Sequence, residues 1–424
     1  MTISMITLFA VFLLIAIRRI GKTRLKIWQI MLGGAVTVIL AGEITPLAAF
    51  QAINFDVIFF LFGMFVIGQA MEDSGYLTHI CHKFFGKVRS VDKLVLITLF
   101  IMGIGSAVLM NDTIAIIGTP VMILLARRNN ISTKFLLLCL AFAVTIGSVM
   151  SPIGNPQNLL IAMGGNIGNP FITFLKYLFI PTVINLFLTY FILKLFYKKE
   201  FRATDLQPSI EHITHENLSK VARVSLILVI VLIVTKIALV FVNLFVNVGF
   251  EFRLTYIALI GCSPILIYRL MLKKKKYRFH ILRKIDWFTI IFFASMFVLM
   301  ESVWQTGFFQ NLISTLSLDM TNIIIIMIIS VIVSQFISNV PMVALFLPLI
   351  LSADAGGKEL MALAAGSTIA GNLFILGAAS NIIIIQHAEK AGNGESITFF
   401  EFARVGIPLT TINILVYLFF FWII

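Results

Sequence analysis

Twelve long apolar runs leave this chain no water-soluble fold. They fall at about 2–17, 27–48, 54–71, 94–126, 134–164, 171–197, 221–248, 253–270, 286–304, 321–351, 360–388 and 398–424. A helix needs about 20 mainly apolar residues to cross a bilayer. The 424 residues are 60% apolar and only 12% charged. Soluble domains carry about 25% charged residues, so a soluble enzyme is excluded. Disorder is excluded too, because it requires low hydrophobicity and high charge. The reading is an all-α polytopic protein of the cell (plasma or inner) membrane.

The net charge of +13 points to membrane topology, not to nucleic acid. Twenty-seven of the 32 Lys and Arg residues sit in six loops, at 18–26, 72–93, 127–134, 194–223, 269–284 and 386–396. Basic loops stay in the cytoplasm. The first run, Thr2–Ile17, has no preceding basic region and reads as a span rather than a signal peptide. Cys81, Cys139 and Cys262 have no metal-ligand spacing and suggest no disulfide framework. His212 and His215 read as solvated linker residues.

Loop charge creates a constraint. Segments 72–93 and 127–134 both read as cytoplasmic, so 94–126 must enter and leave on the same side. Its 33 residues are too few for two crossings, and Asn111-Asp112-Thr113 sits at its middle. A re-entrant helical hairpin resolves this, since non-helical backbone at membrane depth must be buried in protein or line a cavity. Segment 321–351 has the same form, with Ser338-Asn339 at its middle and almost no basic residue in its flanks. It reads as a hairpin from the outer side. The expected count is ten crossings and two hairpins, with both termini outside.

The two halves repeat. Met64-Phe65-Val66 with Gly75 matches Met296-Phe297-Val298 with Gly307. Asn111…Pro120 matches Asn339…Pro348, Gly154…Asn158 matches Gly377…Asn381, and Ile180-Pro181 with Asn185 matches Ile407-Pro408 with Asn413. Each half would hold about five transmembrane helices, one hairpin and one broken helix. Five is odd, so the repeats would be inverted in topology, the architecture of secondary transporters. The expected domains are 1–200 (hairpin 94–126, broken helix 134–164), a cytoplasmic linker at 201–220, and 221–424 (hairpin 321–351, broken helix 360–388).

Chemistry concentrates at the tips and breaks. Asp112 is the first half's only carboxylate at that depth. It could hold a proton or neutralise a cation, or it could simply cap the second hairpin arm. Gly147–Asn158 carries two prolines and Gly154 inside an apolar run, which forces a break. Its counterpart, Gly371–Asn381, has small residues and no proline. The second tip, Ser338-Asn339-Val340-Pro341, has no carboxylate. Glu301 and Arg404 read as interfacial, and Lys236 as snorkelling outward. No phosphate loop, dinucleotide fingerprint, nucleophile–base set or metal cluster is visible. The chain therefore reads as a non-enzyme without a cofactor, apart from Na+ or H+ as coupling ion.

These paired tips and breaks resemble the ion transporter superfamily of divalent-anion/sodium symporters, citrate carriers, arsenite permeases and a group of sodium/proton antiporters. Asn111-Asp112…Thr119-Pro120 and Gly154-Asn155-Pro156-Gln157-Asn158 look most like the arsenite-permease branch and its anion-permease relatives. The resemblance implies one ion site at Asn111, Asp112, Thr113, Gly154 and Asn155, and another at Ser338, Asn339, Val340, Gly377 and Ala378. It implies a substrate between the tips, against Asn111, Thr113, Asn158, Ser338, Asn339, Pro341, Ser380 and Asn381, and a homodimer. The symporters carry Ser-Asn-Thr at both tips, whereas here the tips read Asn-Asp-Thr and Ser-Asn-Val. The expectation is a secondary transporter for a small, anionic solute: an arsenite-like oxyacid, an inorganic anion or a carboxylate. A sodium/proton antiporter and a passive channel are the alternatives.

Overall fold

A computed structural model describes residues 2–17, 19–20, 23–24, 26–76, 79, 85–86, 88–202, 206, 215–243, 254–272, 278–308, 311, 319–337, 339–390 and 397–424. Cys81, His212, Ser338, Lys273–Lys276 and the Lys236 side chain lie outside the described residues. Apart from a two-residue antiparallel pair, Arg19–Ile20 with Thr23–Arg24, the described regular structure is helical. The first half contains α1 (Ile3–Ile17), α2 (Ile27–Leu40), α3 (Pro46–Ala52), α4 (Phe55–Asp73), α5 (Val91–Leu109), α6 (Asn111–Arg128), α7 (Thr133–Ser148), α8 (Pro156–Gly164) and α9 (Pro170–Phe196). The second contains α10 (Glu216–Asn243), α11 (Leu254–Met271), α12 (His280–Lys284), α13 (Trp287–Trp304), α14 (Ile323–Ile337), α15 (Asn339–Ser352), α16 (Gly357–Ile369), α17 (Ala379–Lys390) and α18 (Phe399–Ile423).

Among the described residues, six helices are long and apolar enough to cross a membrane: α4, α5, α9, the Glu216–Thr235 part of α10, α13 and α18. Five further apolar helices are shorter. All five belong to the hairpins and broken helices or pair with a longer span, so the neighbouring protein supplies what length does not.

Each pairing in one half has its counterpart in the other. Helices α1 and α2 pack together, as do α10 and α11. Helix α2 packs on α13, and α11 on α4, so each half completes the other. The first hairpin, α5–α6, packs on α7, and the second, α14–α15, packs on α16. Across the halves α6 meets α17, α15 meets α8, and α9 meets α18. Small residues permit the tightest of these approaches: a Cβ on Gly147 would fall on the Gly103 backbone.

The basic loops gather at one end. Lys194 binds Asp92 at 2.5 Å, Lys134 binds Glu401 at 2.8 Å, and the Ser132 amide donates to Glu200 at 3.0 Å. The His215 amide donates to the Ser74 carbonyl at 3.3 Å, and the Leu206 amide to that of Arg89 at 3.4 Å. Trp28, beyond the first basic loop, stacks on Phe288, beyond the fifth. The start of α1 lies elsewhere, where Ser4 donates to Glu43 at 2.8 Å and pairs with Ser302 at 2.6 Å. By the charge argument this is the end expected to face the cytoplasm.

Candidate functional site

The first hairpin turns on one residue. Met110, fully buried, adopts φ 72° and ψ 144° between α5 and α6. A non-glycine residue there is strained, and its neighbours hold it in place. The Asn111 amide donates to the Gly154 carbonyl at 2.8 Å, tying the tip to the break in α7–α8. Asn111 Oδ1 accepts from the Asp112 amide at 2.9 Å. That makes Asn111 the tip's amide acceptor and removes the capping role considered for Asp112. Asp112 is 5% exposed, and among the described residues its carboxylate accepts no hydrogen bond. A buried carboxylate without a partner is costly, which makes it a candidate site residue in a membrane protein.

The first break is locked by amides. Asn155 caps α8, accepting from the Asn158 amide at 2.8 Å, and donates to Ser148 Oγ at 3.0 Å and Thr368 Oγ1 at 3.2 Å. Asn158 Nδ2 faces the carbonyls of Ser148 (3.1 Å), Val149 (3.3 Å) and Ser151 (3.0 Å). These carbonyls lie where α7 ends, and two of them also accept a backbone amide, Ser148 from Ser151 at 3.4 Å and Ser151 from Gly154 at 3.2 Å. Gly154 lets the loop close, since a Cβ there would overlap the Ser148 carbonyl.

The second break repeats this without proline. Asn381 Nδ2 donates to the Gly371 carbonyl at 2.7 Å, ten residues upstream, as Asn158 does to Ser148. A Cβ on Gly377 would meet the Ala370 carbonyl at 2.6 Å. Gln335 Nε2, on α14, donates to that same Ala370 carbonyl at 2.9 Å and so ties the second hairpin to its break. Asn339, Val340 and Pro341 begin α15 and are buried.

Several buried polar atoms at the tips and breaks find no partner among the described residues, among them Thr113 Oγ1, Thr145 Oγ1, Asn339 Oδ1, Asn372 Oδ1, Ser380 Oγ and Asn381 Oδ1. Buried polar groups are normally satisfied, which makes these atoms candidates for ligand contact. The structure thus joins Asn111 to Gly154 and Asn155 to Ser148 and Thr368. Asn158 differs from the expected substrate contact, because its carboxamide is already bonded on both sides: Thr368 Oγ1 donates to its Oδ1 at 3.2 Å. Thr145, Thr368 and Gln335 are site neighbours that sequence reading missed. Thr145 and Thr368 do share the offset of Gly154 and Gly377, the signal that could have found them. Glu301 accepts from Gln305 at 2.9 Å, and Arg404 lies over the Phe196 ring at 5.7 Å.

Asn158→Ala should destabilise the protein more than Asn381→Ala. The first removes three carbonyl contacts and the bond from Thr368 Oγ1, and the second one carbonyl contact, at about 0.5–1.5 kcal/mol for each hydrogen bond lost. Thermal unfolding in detergent checks the order, and equal losses would contradict it.

The chain is 27% identical to an uncharacterized transporter of Mycobacterium tuberculosis, covering 100% of this chain and 98% of that protein. It is also 27% identical to a 46 kDa membrane protein of Mycobacterium leprae, over 98% of this chain and 96% of the relative. The crystal structure of the Alcanivorax borkumensis YdaH transporter, described as having an unusual topology, superposes with a TM-score of 0.55 at 13% identity. It covers 99% of this chain and 97% of that one, and shows a shared fold. Residues 11–359 match the citrate transporter family, CitMHS. This is a multi-pass membrane transporter of the citrate transporter family, within the ion transporter superfamily.

Proposed function

We propose that the protein is a secondary active transporter that moves a small anionic solute by alternating access, coupled to a proton or sodium gradient. The two halves would act as inverted repeats, with hairpins and broken helices moving against the remaining spans. One observation carries the reading: four helices, α6, α8, α15 and α17, begin at the tips and breaks, and the first turns of three of them, α6, α15 and α17, hold buried polar atoms without partners among the described residues. Each helix N-terminus carries about half a positive elementary charge. Together they would supply positive potential that the tips lack in Lys or Arg; the amides of Asn111, Asp112 and Asn158 are already bonded within the protein, so α15 and α17 would offer amides to an anion. A carboxylate of the citrate type, in keeping with the family's name, is the first solute to try. Oxyanions follow. Asp112 would hold the coupling ion at the first tip, and Asn111, Gly154 and Asn155 would shape that site. Ser338, Asn339, Val340, Gly377 and Ala378 would form its counterpart. Thr113, Ser380 and Asn381 would contact the solute.

A sodium/proton antiporter is the second reading, favoured by the lone carboxylate of Asp112. Thermal stability of the purified protein separates the two. A ligand at 100 times its Kd stabilises by about 2.7 kcal/mol. The expected result is a rise in unfolding temperature with one anion, larger when sodium or a lowered pH accompanies it. Stabilisation by sodium alone, with no anion effective, would favour the antiporter.

A further inference from the structure

A narrow cleft joins the basic-loop end to the first hairpin tip. Gly68, Gln69 and Glu72 of α4 form one wall, Thr113 of α6 the floor, and Lys284 and Asp286 the wall before α13. Gly68 and Glu72 are one helical turn apart and share a face. At the floor α4 meets the tip closely: a Cβ on Gly68 would lie 2.7 Å from Thr113 Cγ2. Thr113 Oγ1 is buried there without a partner. Asp112 is the adjacent residue, and the Asp286 carboxylate acts on it electrostatically.

The mouth is charged. Lys284 Nζ binds Asp73 at 2.8 Å, and Arg269 (3.4 Å) and His280 (3.7 Å) approach the same carboxylate. Gln69 Nε2 donates to Glu72 at 3.2 Å and to Asp73 at 3.1 Å. The cleft holds about 50 Å3. That suffices for a few water molecules and excludes an organic anion.

We infer that this cleft is the port of the coupling ion, through which a proton or a sodium ion passes between cytoplasmic water and Asp112. Glu72, Asp286 and Thr113 line the path, and the ammonium of Lys284 is its electrostatic gate. The solute must then use another route. The inference rests on the coupling role proposed for Asp112. In the Met-Phe-Val register Trp304 stands where the first half has Glu72, and Glu301 where it has Gln69, so the polar lining is not repeated residue for residue in the second half.

The test is thiol labelling of the full chain in vesicles of both orientations, read by mass and therefore independent of transport. Cys81→Ser removes the one native cysteine that is not among the buried pair Cys139 and Cys262. Ile116→Cys and Gln69→Cys, on opposite walls of the cleft, are each added singly. Both are expected to react with a small impermeant cationic thiol reagent from the basic-loop face only. Adding Lys284→Gln should speed that reaction several-fold and leave an anionic reagent no faster. Labelling only from the opposite face would overturn the port. So would labelling at Gln69→Cys without Ile116→Cys, or cationic rates indifferent to Lys284→Gln. An active transporter that fails to label sinks the port alone. A labelled port with coupling intact in Asp112→Asn sinks the role of Asp112 instead.

Discussion

Asp112→Asn is expected to abolish coupling while the protein folds. Asn keeps the shape, and the carboxylate accepts no hydrogen bond among the described residues that Asn would lose. Removing a buried charge is neutral or stabilising, so the unfolding temperature should hold or rise. The coupling between ion and solute should disappear. Such energies run to about 1–3 kcal/mol, or about 5–150-fold in affinity. Solute affinity measured with and without the coupling cation checks this. In the wild type the two values should differ by such a factor, and in the variant they should coincide. A variant that retains the difference would reduce Asp112 to a structural residue.

Gly154→Ala should be among the most damaging single-methyl changes. Its Cβ would overlap the Ser148 carbonyl, and the backbone has no freedom to retreat. The Gly154 carbonyl holds the Asn111 amide, and Asn155 is bonded to both Ser148 and Thr368. Overpacking a well-filled interior costs about 1–3 kcal/mol, occasionally more. Here the strain falls on the joint between tip and break. Transport should be lost and the unfolding temperature lowered. Gly168→Ala is the control, because no heavy atom lies within 4 Å of its added Cβ. If Gly154→Ala and Gly168→Ala behave alike, the joint is not the constraint described.

The helical plan was legible because lipid permits few alternatives. Long apolar runs can only be helices, and polar residues in their middle require a turn or break with partners. Asn111-Asp112 and Gly154-Asn155-Pro156 announce themselves in this way. The second break, without proline, was legible only through its repeat. What the sequence left dark is pairing across distance. The bond from Asn155 to Thr368 joins residues 213 positions apart, and the ion pair of Asp73 with Arg269 joins residues 196 apart. No local pattern encodes either. The same holds for the buried pair Asn185 and Asn413. They match by position in the two halves, yet only the fold reveals that Asn413 Nδ2 donates to Asn185 Oδ1 at 2.9 Å. The π-helical turn at Thr98–Met102 within α5 left no sequence signal either. It packs against α7.

Coupled anion transport is tested most directly by solid-supported-membrane electrophysiology on proteoliposomes. These are challenged with citrate, smaller carboxylates, phosphate and arsenite, with and without sodium and a pH step. The account predicts a transient current that needs one of these solutes and one particular cation together, and that vanishes in Asp112→Asn. A current driven by sodium and pH alone, indifferent to every anion, would contradict it.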